Sequence, residues 1–98
     1  MANLNKAVVI GRVGSKPELI TKGSRVSTIF LVGNSTVYSN GEAQVDWVSV
    51  KATGKQARIL CDHLNKGDLC CIEGKYSSGI DSVIAEKVTF LSSSKRQS

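Results

Sequence analysis

Trp47 stands in the run Val45-Asp46-Trp47-Val48-Ser49-Val50-Lys51-Ala52-Thr53. Side chains alternate faces along a strand, so Val48, Val50 and Ala52 would share a core face, and Trp47 would share the other with Ser49, Lys51 and Thr53. A flat ring in a polar row beside an ammonium group suits single-stranded nucleic acid. Every base offers a π-face, and the phosphate next to it attracts a cation. The alternative for the same row is a tryptophan packed under a loop or in a subunit interface.

Catalytic chemistry has less support. Cys61, Cys70 and Cys71 lack the C-x-x-C spacing of a zinc or redox site, and the lone His63 has no recognisable nucleophile or carboxylate partner. A phosphate-cradling glycine motif is also missing. The expectation is therefore no enzyme, no metal and no cofactor. All three cysteines read as small buried hydrophobes. Adjacent Cys70 and Cys71 would point to opposite faces of a strand, where a bond between them would distort the backbone.

The elements that must position these residues follow from periodicity and turn chemistry. Asn5 to Val13 is a β-branched run interrupted by Gly11, which predicts a strand with a bulge or a close backbone approach. Pro17 makes Ser15-Lys16-Pro17 a bend. After the turn Lys22-Gly23-Ser24, the stretch Arg25 to Tyr38 alternates Val26, Thr28, Phe30 and Val32 against Ser27, Ile29 and Leu31, as in a central strand covered on both sides. Ser39-Asn40-Gly41 predicts a hairpin with a type I′ turn leading into the Trp47 strand. Gly54 and Lys55 open a helix whose Ala57, Leu60, Cys61 and Leu64 form one apolar stripe, with Lys66 in its last turn and Gly67 just past it. Leu69 to Tyr76 and Ser82 to Leu91 are two further strands around the turn Ser77-Ser78-Gly79. The polar, basic segment Ser92 to Ser98 has nothing to bury and is expected to be a flexible tail.

Ninety-eight residues, 41% hydrophobic and 21% charged, fit a single domain with one modest core, placed at residues 1 to 91. Thirteen Lys and Arg against eight Asp and Glu leave a net charge of +5, which favours polyanionic partners. Apolar runs such as Ala7 to Ile10 are too short for a membrane span or a signal-peptide core, so a cytoplasmic, nucleoid-associated chain with no membrane partner is expected. Three strands, a helix and two strands give an all-β chain with one helix. That is the element order of the five-stranded oligonucleotide-binding (OB) Greek-key barrel.

Specific motifs sharpen that class. The opening Asn5-Lys6-Ala7-Val8-Val9-Ile10-Gly11-Arg12-Val13 with Lys16-Pro17-Glu18-Leu19 resembles that of the bacterial single-stranded DNA-binding proteins. Gly23, Phe30-x-Val32 with Asn34, Asp46-Trp47-Val48, Gly54-Lys55-x-Ala57, Leu64-x-Lys66-Gly67 and Ile72-x-Gly74 follow in the family's order. The resemblance implies a non-catalytic OB barrel that assembles as a homodimer or homotetramer and binds single strands. Trp47 then matches a base-stacking aromatic, and Lys6, Arg12, Lys51 and Lys55 match or flank places where cations meet phosphate.

Departures from the family pattern are equally informative. Thr53 stands where the family often has a stacking ring, and the hairpin Ser77 to Asp81 is short where the family usually carries a long loop. Tyr38 and Tyr76 are the remaining aromatic candidates. The chain as read ends Ser94-Lys95-Arg96-Gln97-Ser98 rather than in an acidic, partner-docking tail, so recruitment of repair enzymes by such a tail is not expected. These features also resemble the primosomal replication protein N branch, and they suit a plasmid, phage or mobile-element member. The leading expectation is a sequence-tolerant binder of single-stranded DNA, with RNA possible, serving replication, recombination or repair. Trp47, Ser49, Lys51, Lys55, Arg12, Lys6, Lys22, Arg25, Lys75, Tyr38 and Tyr76 would form the contact set. The alternative is a replication-restart or mobile-element accessory whose barrel mainly docks protein partners. For either, the edge strand Asn5 to Ile10 is expected to seek a second copy.

Overall fold

A computed structural model describes residues 5–92. The chain runs β1 (Ala7–Val13), β2 (Ile20–Lys22), β3 (Arg25–Val37), β4 (Ala43–Thr53), α1 (Gly54–His63), β5 (Leu69–Ser77) and β6 (Ser82–Ser92). The strands neighbour one another in the order β1-β5-β6-β4-β3, and β1 pairs again with β3 through Arg12↔Gly33 and Val13↔Val32, which closes a five-stranded barrel. The β4–β6 pairing, Val50↔Val83 and Lys51↔Ile84, is parallel and the others are antiparallel. A sixth strand, the three-residue β2, was not expected. It is a ribbon on the edge of β3, too short to show periodicity. The basic tail expected from Ser92 lies outside the described residues from 93 onward, and Ser92 itself pairs with Leu69 in the last register position of β6.

Alternation decides what fills the barrel. Phe30 and Val32 from β3, Val50 and Ala52 from β4, and Cys70 and Ile72 from β5 are buried together, and Ala57, Leu60 and Leu64 of α1 plug one end. Each large apolar side chain so buried stabilises the fold by about 1.5–3 kcal/mol. The outer side of β3 corrects the expectation of a strand covered on both faces, because Ile29 is 50% and Leu31 44% exposed. Gly11 meets its expectation of a close approach: a Cβ there would overlap the carbonyl oxygen of Gly33 on the strand that closes the barrel. Asn5 precedes β1 rather than starting it, and its amide stands in for a strand residue. Asn5 Nδ2 donates to the Tyr76 carbonyl at 2.7 Å and Asn5 Oδ1 accepts from the Tyr76 N–H at 3.1 Å.

Two turns differ from expectation. The β3–β4 connection is a hairpin, but not a type I′ turn, since among its residues only Gly41 has positive φ (88°). Gly41 N–H bonds the Tyr38 carbonyl and Tyr38 N–H the Glu42 carbonyl, the pattern of a type I turn closed by a glycine bulge. Helix α1 stops at His63 with Leu64 as an extended C-cap, so Lys66 and Gly67 lie in the following Asn65–Asp68 turn rather than at the helix end. The cation that serves the helix C-terminus is Lys16, whose Nζ donates to the carbonyls of Cys61 at 2.9 Å and Leu64 at 3.2 Å.

Of the cysteines, only Cys70 is fully buried, whereas Cys61 and Cys71 are partly exposed, and all three are free thiols. Burial, with the neighbouring Cys71 and Asp68 adding to it, pushes the Cys70 thiol up to about 11, which keeps it protonated and unreactive. Thr28 is fully buried and its Oγ1 has no hydrogen-bond partner among the described residues. Removing an unsatisfied buried hydroxyl relieves a penalty of about 1–3 kcal/mol. Thr28→Val is therefore expected to stabilise the barrel by about 1 kcal/mol, raising Tm by roughly 4–8 °C in a thermal melt followed by circular dichroism.

Candidate nucleic-acid interface

The outer row of β4 carries Trp47, Ser49, Lys51 and Thr53, facing Gly33, Leu31, Ile29 and Ser27 across the β3–β4 ladder. Trp47 is 56% exposed and its six-membered ring rests on two glycines. A Cβ on Gly14 would fall 2.6 Å from Cζ3 of the indole, and one on Gly33 would fall 2.8 Å away. Glycine at both positions creates the seat that lets a large ring lie against backbone with its remaining surface open. Each glycine follows a buried valine, Val13 or Val32, and Gly33 is paired with the tryptophan across the ladder.

The ring divides two hollows. One, of about 360 Å³, is lined by Ile10, Arg12, Asn34, Ser35, Val45 and Leu69. Arg12 donates from one guanidinium nitrogen to the Gly67 carbonyl at 2.9 Å, which leaves most of its five N–H donors for another acceptor. The second hollow, about 430 Å³, lies between Trp47 and the β5–β6 turn and includes Leu31, Ser49, Tyr76, Asp81 and Ser82. Further along the β4 row, Lys51 joins Lys22 and Arg25 around a third hollow of about 610 Å³, with the Ser24, Ser27 and Thr53 hydroxyls beside them. Among the described residues no acidic side chain lines the first or third hollow. Trp47 and Lys51 are four residues apart, about 13 Å along the strand, so ring and cations share one stretch of surface.

Seven of the eleven expected contact residues, Trp47, Ser49, Lys51, Arg12, Lys22, Arg25 and Tyr76, therefore line adjoining hollows. The other four do not. Lys55 is exposed in the first turn of α1, outside all three hollows, and Tyr38 sits in the β3–β4 hairpin loop with its hydroxyl 3.3 Å from Gln44 Oε1. Lys6 and Lys75 lie together at the far end of β1 and β5. Lys6 precedes the first paired residue of β1, Ala7, and Lys75 follows that residue's partner Gly74 in β5, with both lysines exposed.

Asp81 and Ser82 are site residues the sequence reading missed. Asp81 is the last residue of the β5–β6 turn and Ser82 the first of β6. Tyr76 Oη donates to Asp81 Oδ1 at 2.5 Å, and Ser82 Oγ donates to Ser49 Oγ at 2.7 Å. The bond to the carboxylate, ahead of the smaller effects of desolvation and the Asp81 charge, raises the Tyr76 phenol above its ordinary pKa. The hydroxyl thus stays protonated and keeps donating. Among the described residues no group of three or more His, Cys, Asp or Glu is placed to hold a metal, and no helix is long and apolar enough to cross a membrane.

A closed barrel of five strands, with its helix between the third and fourth of them and an exposed ring among cations on one face, is an oligonucleotide-binding barrel. The model of the single-strand binding protein family matches residues 4–90, and this chain belongs to that family. It is 28% identical to the single-stranded DNA-binding protein of Clostridium tetani, over 97% of this chain and 75% of that one. Single-stranded DNA-binding protein 2 of Staphylococcus aureus is 30% identical over 90% of this chain and 73% of its own length. Single-stranded DNA-binding protein 1 of Streptococcus pyogenes is 35% identical over 72% of this chain and 56% of its own.

Proposed function

We propose that this chain binds single-stranded DNA without requiring a particular sequence, in the replication, recombination and repair work general to its family. The strand lies along the outer row of β4. A base stacks on Trp47, and the phosphates pass Arg12 at one end and Lys51, Arg25 and Lys22 at the other. The observation that carries this reading is the seating of Trp47: a ring more than half exposed, supported on Gly14 and Gly33 at the junction of two hollows. A tryptophan serving only the core would be covered. The family match and the relatives' names do not favour the alternative of a barrel that chiefly docks proteins.

Four cations give the site a salt signature. For single strands the logarithmic slope of affinity against salt is about −0.7 per neutralised phosphate, or about −3 for four contacts. The double variant Lys22→Glu/Arg25→Glu is expected to bind oligothymidine more weakly at low salt and to flatten that slope to about −1.4, the value left by two contacts. Anisotropy titrations over a range of salt concentrations measure both. An unchanged affinity and slope would remove the third hollow from the path of the strand.

A homo-oligomer fits the open edge of β1. That strand pairs β5 from Ala7 to Arg12 but meets β3 only at Arg12 and Val13, so the β3-side edge of Ala7 to Val9 has no strand partner among the described residues. Val8 and Ile10 next to it are about half exposed. Pairing that edge with a second copy would satisfy its backbone groups and cover both side chains.

A further inference from the structure

The hollow between Trp47 and the β5–β6 turn differs in sign from its neighbours. Where the hollows on either side hold Arg12, or Lys22, Arg25 and Lys51, this one holds the carboxylate of Asp81. A carboxylate repels phosphate and accepts hydrogen bonds, so this stretch of surface suits a base edge and not the backbone.

The carboxylate is also held in place. Asp81 is the one non-glycine residue with positive φ (50°) among the described residues, a conformation that Asp and Asn adopt more readily than other side chains. Its Oδ1 accepts from Tyr76 Oη, while Oδ2 has no hydrogen-bond partner among the described residues and Oδ1 keeps a second lone pair. Two aromatic rings, Trp47 and Tyr76, line the same hollow and offer π-faces beside this acceptor edge.

Building on the single-stranded DNA reading above, we infer that this hollow reads one base of the bound strand through Asp81, favouring guanine and disfavouring thymine. Guanine presents two adjacent donors to a carboxylate, the ring N1–H and the exocyclic amine. Cytosine and adenine each present one amino group beside an acceptor ring nitrogen. Thymine presents a single N–H between two carbonyl oxygens, both of which repel the carboxylate. The strand would then bind with little sequence demand along most of its length and carry a preference at this one position.

The test compares an oligothymidine with the same strand carrying isolated guanines, by fluorescence anisotropy at low salt. The guanine strand is expected to bind roughly fivefold more tightly, the low end of what a two-donor contact gives at an exposed site. Inosine, which keeps N1–H and lacks the amine, should fall between. Asp81→Asn, which suits the same backbone conformation, should bind the two strands alike, and Tyr76→Phe, which keeps the ring but frees the carboxylate, should narrow the preference. Equal binding of both strands by the unaltered protein would overturn this inference and leave the DNA-binding reading intact. So would an Asp81→Asn variant that gains affinity for both strands equally, since Asp81 would then act only by repelling phosphate. Binding to neither strand would overturn both.

Discussion

Trp47→Ala is expected to weaken binding to oligothymidine by roughly 5- to 150-fold, the equivalent of about 1–3 kcal/mol for one base that loses its stacking partner. The upper part of that range is expected. Thr53 takes no stacking role and Tyr38 lies apart in the hairpin loop, so only Tyr76 remains on the same surface to compensate. The fold should survive, because the ring is more than half exposed and the core beneath β4 is formed by Val50 and Ala52 on the opposite face. Trp47→Phe keeps a smaller ring on the Gly14 and Gly33 seat and should recover much of the loss. Anisotropy titration against a labelled strand, with a thermal melt of each variant alongside, separates binding from folding. An affinity for Trp47→Ala within twofold of the unaltered protein would mean that the exposed ring is not where bases stack.

Gly74→Ala is expected to cost about 3 kcal/mol, the upper end for overpacking, and to lower Tm by roughly 12–24 °C for a domain of this size. At Gly74 the β5–β6 ladder shifts register, and the two backbones come so close that a Cβ would overlap the carbonyl oxygen of Ile84. The obstruction is main chain within a ladder, so no flexible side chain can swing aside to relieve it. Because the same ladder carries Tyr76 toward the β5–β6 turn, any Gly74→Ala protein that does fold should also present a displaced Tyr76–Asp81 pair. A melt that shows no loss of stability would contradict the closeness of the two strands at this point.

The fold was legible because its signals are local. The alternation of Val26, Thr28, Phe30 and Val32, the helical stripe of Ala57, Leu60 and Leu64, and the Asn-Gly hairpin each announce an element from neighbouring residues alone. What was misread depends on contacts between distant residues. The end of α1 was placed at Lys66 and Gly67 because such residues often close a helix, but Lys16, far off in sequence, supplies the cation there. The type I′ assignment failed because Asn40 keeps negative φ and the extra residue is absorbed in a bulge at Gly41.

The candidate site divides in the same way. Trp47, Ser49 and Lys51 were legible together because one strand presents them at intervals of two. Arg12, Arg25 and Lys22 were legible as charges, and their grouping into two hollows at either end of the row comes from barrel closure and from the short β2 ribbon. Lys55 enters the expected set through the family resemblance, at or beside a place where cations meet phosphate, and the turn into α1 sets it outside the three hollows. The glycine seat under Trp47 and the carboxylate of Asp81 were not legible. One requires knowing that Gly14 lies beneath a ring thirty-three residues later. The other requires knowing that the short turn brings an acid up to Tyr76.

Trp47, the chain's only tryptophan, is its own reporter of a stacked base. Oligothymidine is added to the unaltered protein at low salt while Trp47 emission is followed. A base stacked on the exposed ring predicts a saturable change in emission, whose affinity falls with salt at a logarithmic slope of about −3. Emission that stays constant at low salt, while anisotropy shows the strand to be bound, would place the DNA elsewhere on the barrel and rule out stacking on Trp47.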